Sequence, residues 1–109
     1  MTPNKEDYLK CIYEIGTEMQ KITNKEIATR MQVSPPAVTE MIKRMKSENL
    51  ILKDKENGYL LTDIGLKLVS ELYRKHRLIE VFLVHHLDYT SDQIHEEAEV
   101  LEHTVSDLF

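Results

Sequence analysis

The chain has 109 residues, 41% apolar and 30% charged, which is enough for about one domain with a single modest core. It contains no apolar run near the ~20 residues that a membrane span needs, and its start lacks the basic and apolar segments of a secretory signal. Because Cys11 is the only cysteine, no disulfide or thiolate zinc site can form within the chain. We therefore expect a cytoplasmic protein with no membrane partner.

The net charge of −5 is unevenly distributed along the chain. Residues 21–55 hold eight Lys and Arg against four Asp and Glu, a balance of +4. Residues 88–109 hold seven acidic residues and no Lys or Arg. A basic segment suits phosphate and an acidic segment suits a cation, although a solvated charged face is the alternative interpretation of each.

Apolar residues at helical spacing predict an amphipathic helix over residues 4–20. Its predicted buried residues are Tyr8, Leu9, Cys11, Ile12, Ile15 and Met19. Next, Thr23-Asn24-Lys25-Glu26 has the capping-box pattern and begins a short helix that ends near Met31.

A third helix is predicted to begin at Pro35 and to end near Glu48. Ser34 is a favourable N-cap, and a proline is well tolerated at the first helical position because its missing N–H would have no partner there. The turn Gln32-Val33-Ser34 separates this helix from the preceding one. Two helices joined by so short a turn predict a helix-turn-helix.

The segment Ile51–Leu61 has two short apolar ends and a polar tip containing Asn57-Gly58, which predicts a β-hairpin. This hairpin would be the wing of a winged helix-turn-helix. Thr62 can then cap a long helix that ends near Leu87. Its predicted buried stripe includes Leu68, Val69, Leu72, Ile79 and Phe82.

A last helix follows a short linker. Its apolar residues repeat at Ile94, Ala98, Leu101, Val105 and Leu108, and the sequence stops in mid-pattern, as expected of a truncated chain. The predicted fold class is therefore mainly α. A winged helix-turn-helix DNA-binding domain would occupy residues 1–64, followed by a helical metal-binding and dimerisation region at 65–109.

The outward face of the third helix, with the wing, is the predicted DNA-binding surface. Its residues are Ser34, Pro35, Pro36, Ala37, Thr39, Glu40, Lys43, Arg44, Lys53 and Lys55. Short side chains at the start of the helix let it enter the major groove, and the cationic residues can meet phosphates. A surface helix of an unrelated three-helix domain is the alternative, which the wing and the local positive charge disfavour.

Histidines and carboxylates border the apolar stripes of the last two helices. They are His95, Glu99, Glu102 and His103 on the last helix, and His76 and Glu80 on the long helix. Such groups converging at the edge of a core are unfavourable unless something positive is bound between them, and a divalent cation would serve. The alternatives to a metal site are a solvated acidic helix surface and a core histidine whose hydrogen bonds are made within the protein.

Together and in this order, these features resemble the family of the diphtheria toxin repressor and the manganese transport regulators, over essentially all 109 residues. The matching segments are Glu6-Asp7-Tyr8-Leu9, Ser34-Pro35-Pro36-Ala37-Val38-Thr39, Leu60-Leu61-Thr62-Asp63-Ile64-Gly65, Lys75-His76-Arg77-Leu78-Ile79-Glu80 and His95-Glu96-Glu97-Ala98-Glu99-Val100-Leu101-Glu102-His103. The resemblance implies a metal-dependent repressor that binds a palindromic DNA operator as a homodimer and controls genes of metal uptake.

The resemblance also implies two metal sites. The primary site would use Asp7, Glu99, Glu102 and His103, the neighbouring second site would use His76, Glu80 and His95, and Glu99 could be shared between them. Iron-responsive members carry sulfur-containing residues at two of these positions, where this chain has Asp7 and Glu99, and hard oxygen donors suit Mn²⁺. We therefore expect Mn²⁺, with Fe²⁺, Zn²⁺ or Cd²⁺ as substitutes and no organic cofactor. Lys10 stands where a closely bridged metal pair would use a carboxylate, which favours separate sites.

The resemblance suggests a mechanism in which a metal joins Asp7 on the first helix to ligands on the last helix. Two other classes of function stay open from the residues alone. One is a winged-helix regulator that responds to a small organic ligand. The other is a carboxylate and histidine metalloenzyme, which is disfavoured because the chain has one Glu-x-x-Glu-His, no repeated Glu-x-x-His and no nucleophile motif.

Overall fold

A computed structural model describes residues 4–18, 20–86 and 91–103, with helices and a β-hairpin in the predicted order. The chain divides into two compact units, Met1–Val69 and Ser70–Phe109. The mainly helical, winged helix-turn-helix fold class is confirmed. Among the described residues, no helix is both long and apolar enough to cross a membrane.

Three helices begin the first unit: α1 (Lys5–Thr17), α2 (Asn24–Met31) and α3 (Pro35–Ser47). The predicted caps of the second and third are present, since Thr23 Oγ1 accepts a hydrogen bond from the N–H of Glu26 at 3.1 Å and the Ser34 side chain caps α3. Only the Thr23 half of the predicted capping box is observed, since the Glu26 carboxylate instead accepts a hydrogen bond from Arg30 Nε at 2.8 Å. Gln32 ends α2 in the left-handed conformation, with φ 57°, which turns the chain toward α3.

The predicted hairpin is formed by β1 (Ile51–Asp54) and β2 (Gly58–Leu61), which pair in antiparallel fashion. The Asp54 carboxylate closes the turn, because it accepts hydrogen bonds from the N–H groups of Glu56 and Asn57 at 3.2 and 2.8 Å. Gly58 has φ +81°, a conformation that a residue with a side chain rarely adopts. The wing therefore has a side-chain-stabilised turn.

The core of the first unit joins the helices to the hairpin. Its most deeply buried side chains include Leu9, Ile12, Ile15, Ile27, Val38, Met45 and Val69. Each predicted buried residue of α1 that the structure describes is buried, whereas Met19 lies outside the described residues. Cys11 is buried as predicted, and burial raises the pKa of its thiol to about 11. Apolar periodicity thus predicted this core.

The long helix α4 (Asp63–His86) begins in the first unit and continues into the second. Thr62 caps it as predicted, because its Oγ1 accepts a hydrogen bond from the N–H of Gly65 at 3.1 Å. Val69, Leu72 and Ile79 are buried as predicted. The prediction was wrong for two other members of the stripe, since Leu68 and Phe82 are each 41% exposed.

The error arose because α4 has adjacent apolar residues, and helical spacing alone does not decide which of each pair is buried. Phe82 and Leu83 lie three and four residues beyond Ile79, so helical spacing allows either of them to be buried, and the structure buries Leu83. In the second unit, Ile79 and Leu83 form a small core with α5 (Ser91–Leu101). The α5 residues of this core are Ile94, Ala98 and Leu101, and the predicted Val105 and Leu108 lie outside the described residues.

Candidate metal centre and nucleic-acid interface

The predicted DNA-binding surface of the first unit consists of one face of α3 and the wing. All ten residues predicted to contact DNA are exposed, namely Ser34, Pro35, Pro36, Ala37, Thr39, Glu40, Lys43, Arg44, Lys53 and Lys55. The opposite face of α3 is held in the core by Val38, Ile42 and Met45. Burial of one face thus presents the other, with its cationic side chains, to solvent.

Two hydroxyl groups of this surface have structural roles in the helix itself. Ser34 Oγ accepts a hydrogen bond from the N–H of Ala37 at 3.3 Å, and Thr39 Oγ1 donates to the carbonyl oxygen of Pro35 at 3.2 Å. Both hydroxyls stay exposed. They therefore shape the start of α3 while remaining accessible to a ligand.

An ion-pair network lies at the end of α3. Glu48 accepts a hydrogen bond from Lys5 Nζ at 2.7 Å and lies 3.7 Å from Arg44 Nε. The Lys5 ammonium group lowers the pKa of the Glu48 carboxyl group. The first turn of α1 is thereby linked to the last turn of the predicted DNA-binding helix.

The second unit brings His76 and Glu80 of α4 together with side chains of α5 and of the residues that directly follow it. Glu102 is 0% exposed, and its Oε2 lies 2.8 Å from His76 Nδ1. The other ring nitrogen of His76, Nε2, lies 3.1 Å from Glu80 Oε1. Each ring nitrogen of His76 therefore faces a carboxylate oxygen, and one of those carboxylates is withdrawn from solvent.

Further ligand-type groups surround this pair. Glu99 Oε1 lies 3.7 Å from His76 Nδ1 and 3.8 Å from His95 Nε2, and the rings of His76 and His95 are 5.3 Å apart. The buried Nε2 of His103 lies 3.4 Å from Glu102 Oε1. We call these six residues the His–Glu cluster: His76, Glu80, His95, Glu99, Glu102 and His103.

Two overlapping triads within the His–Glu cluster have the spacing of metal ligands. In each triad one ligand atom per residue lies within 4.8 Å of the others: His76, Glu80 and His95 in the first, and His76, Glu99 and Glu102 in the second. The first triad is the set predicted for the second site. The second triad brings Glu99 and Glu102, both predicted for the primary site, next to His76 of the second site. The sequence analysis allowed Glu99 to be shared between the sites but did not predict the approach of Glu102 to His76.

Asp7 lies in the first turn of α1, in the first unit, where an acidic residue stabilises the helix N-terminus, and it also completes a capping box that the sequence analysis missed. Its Oδ2 accepts a hydrogen bond from the N–H of Asn4 at 3.0 Å, and Asn4 Oδ1 accepts one from the N–H of Asp7 at 3.0 Å. This reciprocal arrangement is a capping box at the start of α1. The spacing Asn4-x-x-Asp7 was the signal for it.

The donor chemistry of the His–Glu cluster fits a divalent cation. Its side chains offer carboxylate oxygens and imidazole nitrogens, which suit Mn²⁺, Fe²⁺ or Zn²⁺, and none of them offers sulfur. The Glu102 carboxylate has no solvent exposure, which is costly without a positive partner, and the neighbouring Glu99 carboxylate of the same triad increases that cost. A bound cation would offset this repulsion.

A winged helix-turn-helix unit with an exposed basic face, followed by a helical unit with a His–Glu cluster, defines a metal-responsive DNA-binding regulator. Comparison with known proteins identifies the family. Residues 1–59 match the N-terminal DNA binding domain of the iron dependent repressors, and residues 62–109 match the metal binding and dimerisation domain of the same proteins. The chain therefore belongs to this family of metal-dependent transcriptional repressors, whose members are regulators and not enzymes.

Individual relatives agree with this assignment. The chain is 30% identical to the HTH-type transcriptional regulator MntR of Bacillus subtilis, over 96% of this chain and 73% of that protein. It is 32% identical to the diphtheria toxin repressor of Corynebacterium diphtheriae, over 94% of this chain and 45% of that protein. Both relatives regulate transcription according to their names.

Solved structures are similar at higher identity. The manganese regulator SloR is 68% identical over the whole chain, with a TM-score of 0.84 and 51% of its own chain covered. ScaR with bound Zn²⁺ is 78% identical over 98% of this chain, with a TM-score of 0.91 and 50% of its own chain covered. The chain thus spans about half the length of these structures.

Proposed function

We propose that this chain is the DNA-binding and metal-sensing part of a Mn²⁺-dependent transcriptional repressor that binds a palindromic operator as a homodimer. The observation that carries the proposal is the fully buried Glu102 carboxylate, 2.8 Å from His76 and surrounded by further ligand-type side chains. A basic, exposed face on α3 and the wing supplies the second half of the function. We further propose that the protein acts in the cytoplasm and controls genes of metal uptake.

We propose the same residues as metal ligands that the family resemblance implies. The primary site would use Asp7, Glu99, Glu102 and His103, and the second site His76, Glu80 and His95. Fe²⁺, Zn²⁺ and Cd²⁺ would be substitutes, and the relative solved with bound Zn²⁺ supports a tolerance for other divalent ions in this fold. Preference for Mn²⁺ over Zn²⁺ would have to come from coordination number and geometry, since intrinsic affinity runs the other way.

The two functional parts are proposed as residues 1–64 for DNA binding and residues 65–109 for metal binding and dimerisation. Asp7 would contribute a ligand from the first part, and the remaining ligands would come from the second. When bound, the metal supplies positive charge that neutralises the carboxylates and joins these residues. Ligation would therefore restrict the orientation of α3 relative to the dimer, so that two recognition helices meet successive major grooves.

This mechanism sets a requirement on the energy of coupling. A ligand shifts a conformational equilibrium only by its difference in affinity for the two states. A hundredfold gain in operator affinity corresponds to a coupling of about 2.7 kcal/mol. A few metal–ligand bonds that form in only one orientation of the units are sufficient for that magnitude.

The proposal is tested by fluorescence anisotropy of a labelled palindromic duplex, selected from a random pool, at fixed salt. We expect tight binding with Mn²⁺ and a loss of about a hundredfold with chelator. Lys43→Gln should weaken binding to all sequences. It should also reduce the slope of log affinity against log salt concentration by about 0.9, the value for one phosphate contact. Equal binding with Mn²⁺ and with chelator would contradict the proposal and favour a regulator that responds to an organic ligand.

A further inference from the structure

One side chain of the wing contacts both helices of the helix-turn-helix. Tyr59 on β2 donates a hydrogen bond from its hydroxyl group to Asn24 Oδ1 at 2.6 Å, and Asn24 is the first residue of α2. The Tyr59 ring packs against the core of the first unit. Its ring centroid also lies 5.8 Å from Lys46 Nζ of α3, within the range of a cation–π contact.

Backbone contacts fix the same part of the wing to the segment that precedes α2. The N–H of Ile22 donates a hydrogen bond to the carbonyl oxygen of Asn57 at 2.9 Å. Gly58 approaches this segment so closely that a Cβ there would lie 2.0 Å from the carbonyl oxygen of Ile22. The hairpin is therefore attached to the helix-turn-helix at two adjacent points, one through backbone and one through the Tyr59 hydroxyl group.

The position of Tyr59 affects the placement of two lysine side chains, one on the wing and one on α3. Lys53 pairs directly with Tyr59 across the hairpin, and directly opposed residues point to the same face of a sheet. Lys46 and Lys53 are both exposed, one on α3 and one on the wing, and Tyr59 lies beside each. A side chain that must be immobilised on binding contributes less to affinity than one that neighbouring residues already hold in place in the free protein.

We infer that Tyr59 is a positioning residue for DNA binding, a role that rests on the proposed function of the chain. Its hydroxyl group holds the wing against α2, and its ring holds Lys46, so that Lys46 and Lys53 meet phosphates of the same duplex. One neutral hydrogen bond corresponds to about a three- to tenfold change in an equilibrium constant. This is the size of effect that we expect for loss of the hydroxyl group.

The test compares four proteins in saturating Mn²⁺, over a series of salt concentrations, by operator anisotropy: wild type, Tyr59→Phe, Lys53→Gln and the double variant. We expect Tyr59→Phe to bind about three- to tenfold more weakly, with a salt slope shallower by up to about 0.9. The double variant should bind no more than about twofold more weakly than Lys53→Gln alone. Tyr59→Phe is expected to act through the contact of Lys53 with phosphate, and Lys53→Gln already removes that contact. Unchanged affinity for Tyr59→Phe, or full additivity with Lys53→Gln, would overturn the inference.

Two further measurements separate this inference from the proposed function. Thr29→Val is the matched control, because it removes a hydroxyl group that donates within α2, to Lys25 O, and it should leave affinity unchanged. Amide hydrogen exchange of Ile22 in the DNA-free protein should be faster in Tyr59→Phe, and an unchanged rate would overturn the anchoring role. Failure of the proposed function would instead appear as wild-type binding that is insensitive to Mn²⁺.

Discussion

Replacing Gly58 with alanine tests the attachment of the wing most simply, because the structure leaves no space for a side chain. The added Cβ would lie 2.0 Å from the carbonyl oxygen and 2.9 Å from the carbonyl carbon of Ile22. Both atoms belong to the backbone, so neither can move aside as the end of a flexible side chain would. The residue would also have to keep φ near +81°.

The expected loss of stability follows from these two effects. A non-glycine residue in the left-handed region costs about 1–2 kcal/mol. Relief of the overlap requires the wing to move away from the preceding segment, which breaks the hydrogen bond from Ile22 to Asn57 and costs about 1 kcal/mol more. We therefore expect Gly58→Ala to lower the free energy of unfolding by about 2–3 kcal/mol.

Urea unfolding followed by circular dichroism measures this change, with an unchanged m-value as the sign that only stability is affected. Gly16→Ala is the matched control. A Cβ at Gly16, in α1, would make ordinary contact with Ile22 Cδ1 at 3.6 Å, so alanine there should stabilise the protein by about 0.5–1 kcal/mol. A Gly58→Ala protein within about 0.5 kcal/mol of wild type would refute the close approach of the two segments.

Two substitutions and one chemical modification test the core and the Glu18–Arg30 ion pair of the first unit. Met45→Ala should lower the free energy of unfolding by about 2–5 kcal/mol, because Met45 is 0% exposed; a cost below about 1 kcal/mol in urea unfolding would contradict that packing. Burial raises the pKa of Cys11 from 9.0 to about 11, so the folded protein favours the thiol; this contribution is present below pH 9 and lost as pH rises toward 11. Iodoacetamide should therefore alkylate the folded protein far more slowly than the urea-unfolded chain at about pH 8, and equal rates would contradict burial of the thiol. The hydrogen bond from Arg30 lowers the pKa of the Glu18 carboxyl group below 4.5, so its contribution is present above that pH and lost on acidification. Glu18→Gln should consequently lower the thermal midpoint at neutral pH and converge with wild type in acid, whereas a constant difference would show that the charge of Glu18 plays no part.

The elements and the larger core could be predicted from the sequence because their signals are local. Periodicity marked the buried faces of α1 and α3, the caps Thr23 and Ser34 marked helix starts, and Asn57-Gly58 marked the hairpin. The capping box at Asn4 and Asp7 was also readable but was overlooked. On α4, adjacent apolar residues fit the helical spacing equally well. Packing against α5 buries Leu83 and leaves Phe82 exposed, and the local sequence does not specify that packing.

The candidate sites were predicted as sets of residues but not as geometry. Sequence spacing placed Glu102 at the border of a core, whereas pairing of α4 with α5 buries it completely beside His76. The hydrogen bond from Tyr59 to Asn24 joins residues 35 positions apart, and no local pattern predicts such a contact. These features depend on tertiary packing, which periodicity does not specify.

The central claim is that the His–Glu cluster binds a divalent cation through Glu102. Isothermal titration calorimetry of Mn²⁺ into wild type, Glu102→Gln and Glu97→Gln tests it most directly, since glutamine keeps the size of the side chain and removes its charge. Glu97 is an exposed residue of α5, shortly before Glu102, and serves as the matched control. We expect saturable binding to wild type and Glu97→Gln and a loss of at least tenfold in affinity, about 1.4 kcal/mol, for Glu102→Gln. Equal affinity in all three proteins, or no Mn²⁺ binding to wild type, would contradict it.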